Sequence, residues 1–159
     1  MTEDELPPIN RGDFVWTNFP RREEPDTPSV ERHIALCLRR FRHREKGYAL
    51  VTVYTTSRPR GDRPKAKGEI EITAERAAEY GQTNAFRIDV RRVAALPVNL
   101  DFFPDLEKPS HGVQGHSAHL ADAAERLLAR LVAETPELIE FLGPQNVRRL
   151  LFGRGGHDA

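Results

Sequence analysis

The chain predicts a mainly β fold, a small and strongly curved barrel with a short helical appendage after it. Three observations carry this. Short apolar runs alternating with polar residues recur between turn-rich connections. Composition shifts to Pro, Gly, Ser and His from Pro104 to Gly115. Beyond that stretch the apolar residues recur at helical spacing. A length of 159 residues suits one domain with a real core.

Taken in order, residues 1–9 are acidic and expected to be disordered, and residues 10–105 form the barrel. A first strand covers Asp13 to Phe19, with Phe14 and Trp16 alternating against Val15 and Thr17. A proline-broken loop from Arg21 to Glu31 follows. A second strand runs near Arg32 to Phe41, with Ile34, Leu36 and Leu38 on one face. After a turn at His43 to Gly47, Tyr48 to Thr56 is rich in β-branched residues and reads as the third strand. Ser57 to Gly68 is a basic loop, and Glu69 to Thr73 a short strand. Thr73 then caps a brief helix, Ala74 to Tyr80, which Gly81 stops. A strand through Arg87 and Asp89 comes next, and Val93 to Leu100 adds one more.

Residues 106–116 read as a linker and 117–152 as a helical extension. Leu120, Ala123, Ala124, Leu127, Leu128, Leu131 and Val132 form the apolar stripe of a helix from Ser117 to Ala133. Thr135-Pro136 starts a second short helix whose apolar side is Leu138, Ile139, Phe141 and Leu142. Gln145 to Phe152 gives a third turn, and 153–159 is expected to be a disordered tail.

Hydrophobic content of 38% with no apolar run near the roughly 20 residues of a membrane span points to a soluble protein. The acidic N-terminus lacks a secretory pattern, and the single cysteine, Cys37, cannot form an internal disulfide. A cytoplasmic location is therefore expected. Net charge is zero, yet Arg32 to Lys67 carries eleven basic residues against two acidic ones. Such segregation points to a polyanionic partner, with a solvated loop as the bland alternative.

Asn84-Ala-Phe-Arg-Ile-Asp-Val90 holds the candidate chemistry. Phe86, Ile88 and Val90 face a core, which leaves Arg87 and Asp89 side by side on the other face. A carboxylate that accepts a proton beside a guanidinium that holds a phosphate is a minimal kit for cutting RNA without a metal or cofactor. An ordinary ion pair is the competing reading. His33 has a suitable natural pKa, but strand alternation points it away from Arg32.

These landmarks together resemble the PemK/MazF toxins of bacterial toxin–antitoxin systems, with Arg87-Ile88-Asp89 similar to the Arg-x-Asp element of the Kid-type branch. The resemblance rests also on Gly12-Asp-Phe-Val-Trp-Thr-Asn-Phe19, on Arg32-His-Ile-Ala-Leu-Cys-Leu38 and on Val51-Thr-Val-Tyr-Thr-Thr-Ser57. It covers roughly Asn10 to Leu100; His33 stands where the family has proline. The resemblance implies an SH3-like barrel, usually a homodimer, that cleaves single-stranded RNA through its 2′-hydroxyl and is neutralised by a cognate antitoxin. It implies Arg32, Thr56, Arg87 and Asp89 as catalytic residues, Arg32 binding phosphate. Ser57, Arg58, Arg60, Arg39 and Arg42 are expected to contact RNA, and Tyr54 or Phe41 to stack on bases.

Guanidinium does not readily give up a proton, so Arg87 is assigned charge stabilisation. Relatives with this barrel also inhibit a topoisomerase by protein contact, so a non-catalytic barrel binding a protein or nucleic acid is the alternative. His111, His116 and His119, with Asp122, have spacing that could hold a metal, although solvated histidines are the simpler reading. The C-terminal helices are expected to pack on the barrel, to cover its basic face or to extend a dimer interface.

Overall fold

The computed structural model describes residues 6–43, 47–152 and 157–158. One mainly antiparallel sheet dominates it. Its hydrogen-bonded path joins β4 (Glu69–Ile72), β5 (Phe86–Pro97), β3 (Gly47–Thr56), β2 (His33–His43), β1 (Asp13–Thr17) and β6 (Val113–His116), in that order. The path has two ends, β4 and β6, and does not close. Two short strands lie off it: β7 (Glu140–Leu142) pairs in parallel with β5, and β8 (His157–Asp158) pairs with β2.

Both faces of the central strands are covered, which explains their near-continuous apolar runs. Ile34, Leu36, Leu38, Val51, Val53, Phe86 and Ile88 join one cluster with Phe14. Ala35, Cys37, Leu50, Ala94 and Leu96 turn to a second cluster with Phe19, Phe102 and Phe103. The period-two assignment of Ile34, Leu36 and Leu38 to one face therefore holds. Phe41 is buried in the first cluster, so it is a core side chain and not a platform for bases.

Helix α2 (Ala118–Glu134) covers the first cluster with Leu120, Ala121, Ala124, Leu128 and Leu131. Ser117 caps it by accepting a hydrogen bond from the Leu120 amide at 3.1 Å. Burying each leucine contributes about 1.5–3 kcal/mol relative to exposure, so the helix belongs to the same core as the sheet. Arg11 and Arg39 reinforce the joint, reaching Glu125 at 3.0 and 2.6 Å, and Arg11 also reaches Asp122 at 2.6 Å.

Several boundaries differ from the sequence reading. Residues 1–5 lie outside the described residues, but Ile9 is wholly buried in the second cluster and is not part of a disordered N-terminus. The segment read as a linker contains β6, whose Val113, Gly115 and His116 register with Val15, Phe14 and Asp13. Gly115 is required there: a Cβ would sit 2.0 Å from the Glu79 carbonyl oxygen. The short helix expected from Pro136 to Leu142 is instead a single 3-10 turn, Pro136–Leu138, followed by β7. Its neighbours obey strand alternation, with Ile139 and Phe141 on the first cluster and Leu142 on the second. In the expected tail, His157 and Asp158 register with Arg42 and Phe41 of β2, and 153–156 and 159 lie outside the described residues.

The strands expected around Arg87 and Val93 are one strand, β5. Val93 pairs with Val53, but Asp89 pairs with Tyr54, so Val90, Arg91 and Arg92 have no partner on β3. This bulge positions the residues considered next. The brief helix is found as α1 (Ala74–Ala77) running into a 3-10 turn, Ala78–Tyr80. Gly81 ends it with φ 77°, a left-handed conformation that suits glycine.

Candidate active site

The first turn of β2 and the last residues of β3 lie side by side, because the strands are antiparallel with Ala35 opposite Tyr54. Arg32 immediately precedes β2, and Thr56 ends β3 before Ser57, Arg58 and Pro59. The Thr56 hydroxyl accepts the Arg58 amide at 3.2 Å and holds the chain in a tight turn. Opposite, Gly81 directs Gln82 and Thr83 towards the same space, and Gln82 Nε2 donates to Thr55 Oγ1 at 3.1 Å. The result is a cavity of about 650 Å³ lined by Arg32, His33, Thr56, Ser57 and Arg58 among others, with Trp16 and Tyr54 in its walls.

Arg32 is oriented from two directions. Its guanidinium carbon lies 5.2 Å from the Trp16 ring centre, a cation–π contact. Its Nη2 donates to Asp105 Oδ2, and Lys108 Nζ reaches Asp105 Oδ1 at 3.0 Å. Burial alone would push the Asp105 carboxyl up, but the hydrogen bonds from Lys108 and Arg32 hold it below its ordinary value of 3.8. Arg58 is exposed, and among the described residues no carboxylate forms an ion pair with its guanidinium.

A second cavity, about 470 Å³, adjoins the first and shares His33, Tyr54 and Arg58 with it. The guanidinium carbon of Arg92 lies 4.0 Å from the Tyr54 ring centre and 5.8 Å from that of Phe19. The His33 ring lies 5.0 Å from the Tyr54 ring. His33 Nδ1 is shut off from solvent and has no hydrogen-bond partner among the described residues. Burial lowers the His33 pKa from 6.5, and the nearby positive charge of Arg92 lowers it further.

Arg32, Thr56, Ser57 and Arg58 thus share one space, whereas the Arg87–Asp89 kit does not assemble as expected. Arg87 lies at the margin and does not line the cavity: its Nη1 donates to the Arg58 carbonyl at 2.7 Å, and its Nε reaches Glu69 at 2.6 Å. Asp89 is buried and does not line the cavity either. Its Oδ1 accepts from the Arg91 amide at 3.0 Å and from Arg91 Nε at 2.9 Å, and its Oδ2 from Arg91 Nη2 at 2.8 Å. The bulge in β5 turns Arg91 back onto Asp89, so the carboxylate holds a turn.

The expected RNA-contacting arginines separate similarly. Arg60 is bound by Glu69 at 3.1 Å and Glu71 at 2.6 Å. Arg39 faces α2 through Glu125, and Arg42 is exposed on β2 opposite His157. Two of the basic segment's eleven cations, Arg60 and Arg39, are therefore paired with acids from β4 and α2. Of the possible metal-binding residues, His116 Nδ1 lies 2.8 Å from Asp13 Oδ1, His111 Nδ1 lies 2.8 Å from the Leu106 carbonyl, and Asp122 is held by Arg11. Among the described residues, no group of three or more His, Cys, Asp or Glu side chains is placed to hold a metal ion.

The sequence reading also undervalued His33. Alternation would separate it from Arg32, but Arg32 lies before β2 begins, where alternation does not apply. The signal was the adjacency of the two residues at a strand start, read too strictly as strand. Among the described residues, no helix is long and apolar enough to cross a membrane. No protein-family model matches the chain, and no curated protein matches it.

Proposed function

We propose that this protein is an endoribonuclease of PemK/MazF type, built on an SH3-like barrel, that cleaves single-stranded RNA without a metal. The observation that carries the reading is the meeting of Arg32, Thr56, Ser57 and Arg58 on one cavity. Its volume, about 650 Å³, lies within the range of small-ligand sites. Attack of a 2′-hydroxyl on the adjacent phosphorus builds negative charge on the nonbridging oxygens. Two guanidinium groups offer planar paired donors to such oxygens, and two hydroxyls add directional ones. The products are a 2′,3′-cyclic phosphate and a 5′-hydroxyl.

Arg87 supports the site from its margin by fixing the Arg58 carbonyl. A homodimer and a neutralising antitoxin rest on the family resemblance alone, and a cytoplasmic location on the N-terminal composition and the single cysteine. The alternative is a non-catalytic barrel that binds nucleic acid or protein, and the capture of Asp89 by Arg91 favours it, since the expected proton acceptor is engaged.

A labelled single-stranded oligoribonucleotide containing every dinucleotide step, incubated with the protein in EDTA, separates the two. The nuclease reading expects fragments ending in 2′,3′-cyclic phosphate. Arg32→Ala should lower the rate by about a hundredfold or more, as for other lost charge-stabilising donors. RNA that is bound but left intact selects the alternative, and RNA that is neither bound nor cut refutes both nucleic-acid readings.

A further inference from the structure

We infer that His33 is the general base of this site, taking the proton of the attacking 2′-hydroxyl in place of Asp89. The inference rests on the ribonuclease reading and asks what that reading still lacks. Cleavage needs a proton acceptor beside the phosphate, and Asp89 neither lines the cavity nor has a carboxylate oxygen without a partner. His33 lines both cavities, with Arg32, Thr56 and Arg58 around the first.

The ring's own surroundings favour a neutral imidazole. Nδ1 is sealed from solvent, so Nε2 is the ring nitrogen that can meet a group in the cavity, and it accepts in the tautomer whose hydrogen sits on Nδ1. Arg92 from β5 and Arg58 from the turn after β3 face the ring with positive charge, and Glu31 opposes them. Across the second cavity stand Arg21, Arg22 and Glu23. Burial and the cations together lower the pKa, which leaves the imidazole unprotonated and ready to accept at neutral pH. Tyr54, in contact with both the ring and Arg92, restrains its orientation.

The step balances without any co-reactant. The 2′-oxygen bonds to phosphorus as its proton passes to the imidazole nitrogen not sealed in the wall, Nε2. The bond from phosphorus to the 5′-oxygen breaks, and the departing oxygen takes a proton from water. The imidazolium then returns its proton to solvent. His33 is therefore a catalytic residue of the reaction, while Arg92 and Tyr54 are positioning residues.

The test is the pH dependence of cleavage of a single-stranded oligoribonucleotide by the wild type and by His33→Gln. The wild type should lose rate on the acid side with a midpoint below 6.5, because protonation removes the acceptor. H33Q should cut at least about a hundredfold more slowly and lack that acid limb, and added imidazole should restore part of the rate in His33→Ala. As a readout independent of the variants' folding, the His33 ring proton resonances of the wild type should shift on titration with a dinucleotide whose 2′-hydroxyl is replaced by hydrogen. A wild type that leaves RNA intact overturns both this inference and the nuclease reading. A wild type that cuts, alongside a folded H33Q that cuts within about threefold with the same acid limb, overturns the role of His33 alone. So does a His33 resonance that the dinucleotide leaves unmoved.

Discussion

Replacing Asp89 with asparagine separates a structural carboxylate from a catalytic one. In the protein the side chain is almost covered, and both oxygens accept from Arg91, three hydrogen bonds in all at 2.8 to 3.0 Å. Asparagine keeps one acceptor oxygen but presents an NH2 group to a guanidinium nitrogen, and it removes the negative charge. Charge-assisted hydrogen bonds contribute about 1.5–3 kcal/mol each when fully shielded. Arg91 is about one-third exposed, so solvent screens part of this. The net loss should be about 2 kcal/mol, and at 2–4 °C per kcal/mol for a domain of this size the melting midpoint should fall by roughly 4–8 °C. Circular dichroism melting reads this loss, and cleavage is measured well below both midpoints. The folded variant should retain cleavage within about threefold of the wild type. An unchanged midpoint with a hundredfold loss of cleavage, about the effect of deleting a positioned base, would refute the structural assignment.

Three further outcomes follow from particular contacts. Asp105→Asn should lower the melting midpoint at neutral pH. Because the folded carboxyl titrates below 3.8, its stabilisation is complete above that value and is lost as pH falls through the lower folded pKa, so the two proteins should converge in acid. The Cys37 thiol is wholly buried and pushed up to about 12, mainly by burial, so a thiol reagent at about pH 8 should modify it only after denaturation. Gly115→Ala forces a methyl group against the Glu79 carbonyl oxygen, and urea unfolding should show a loss of about 1–3 kcal/mol or more.

The strands were legible where side chains alternate against a core. Phe86, Ile88 and Val90 all reach the first cluster, and the apolar stripe of α2 lies against the same cluster. Strand β6 was not legible because its sequence, Val-Gln-Gly-His, contributes a single large apolar residue. Pairing with β1 and the close approach of Gly115 to Glu79 define it, and neither is local information. The run from Leu138 to Leu142 was ambiguous for another reason: four apolar residues in five satisfy helical and strand spacing alike. Parallel pairing with β5 decides for strand.

The candidate site was legible in its anchors and misread in its chemistry, and one irregularity accounts for much of the difference. Val90 and Val93 are both buried in one cluster although they stand three positions apart, which strict alternation forbids. The intervening Arg91-Arg92 doublet therefore marks a bulge, and that signal was present in the sequence. Once the bulge forms, the Arg91 amide falls within reach of the Asp89 carboxylate, and the guanidinium closes over it. The same bulge carries Arg92 onto the Tyr54 ring, whose position beside His33 fills the wall between the two cavities. A carboxylate committed to a turn and an imidazole exposed to a cationic cavity are thus linked through one distortion of β5. Straightening that distortion by deleting one of its residues should release Asp89 and displace Arg92 together, so thermal stability and the environment of the His33 ring should change in the same variant.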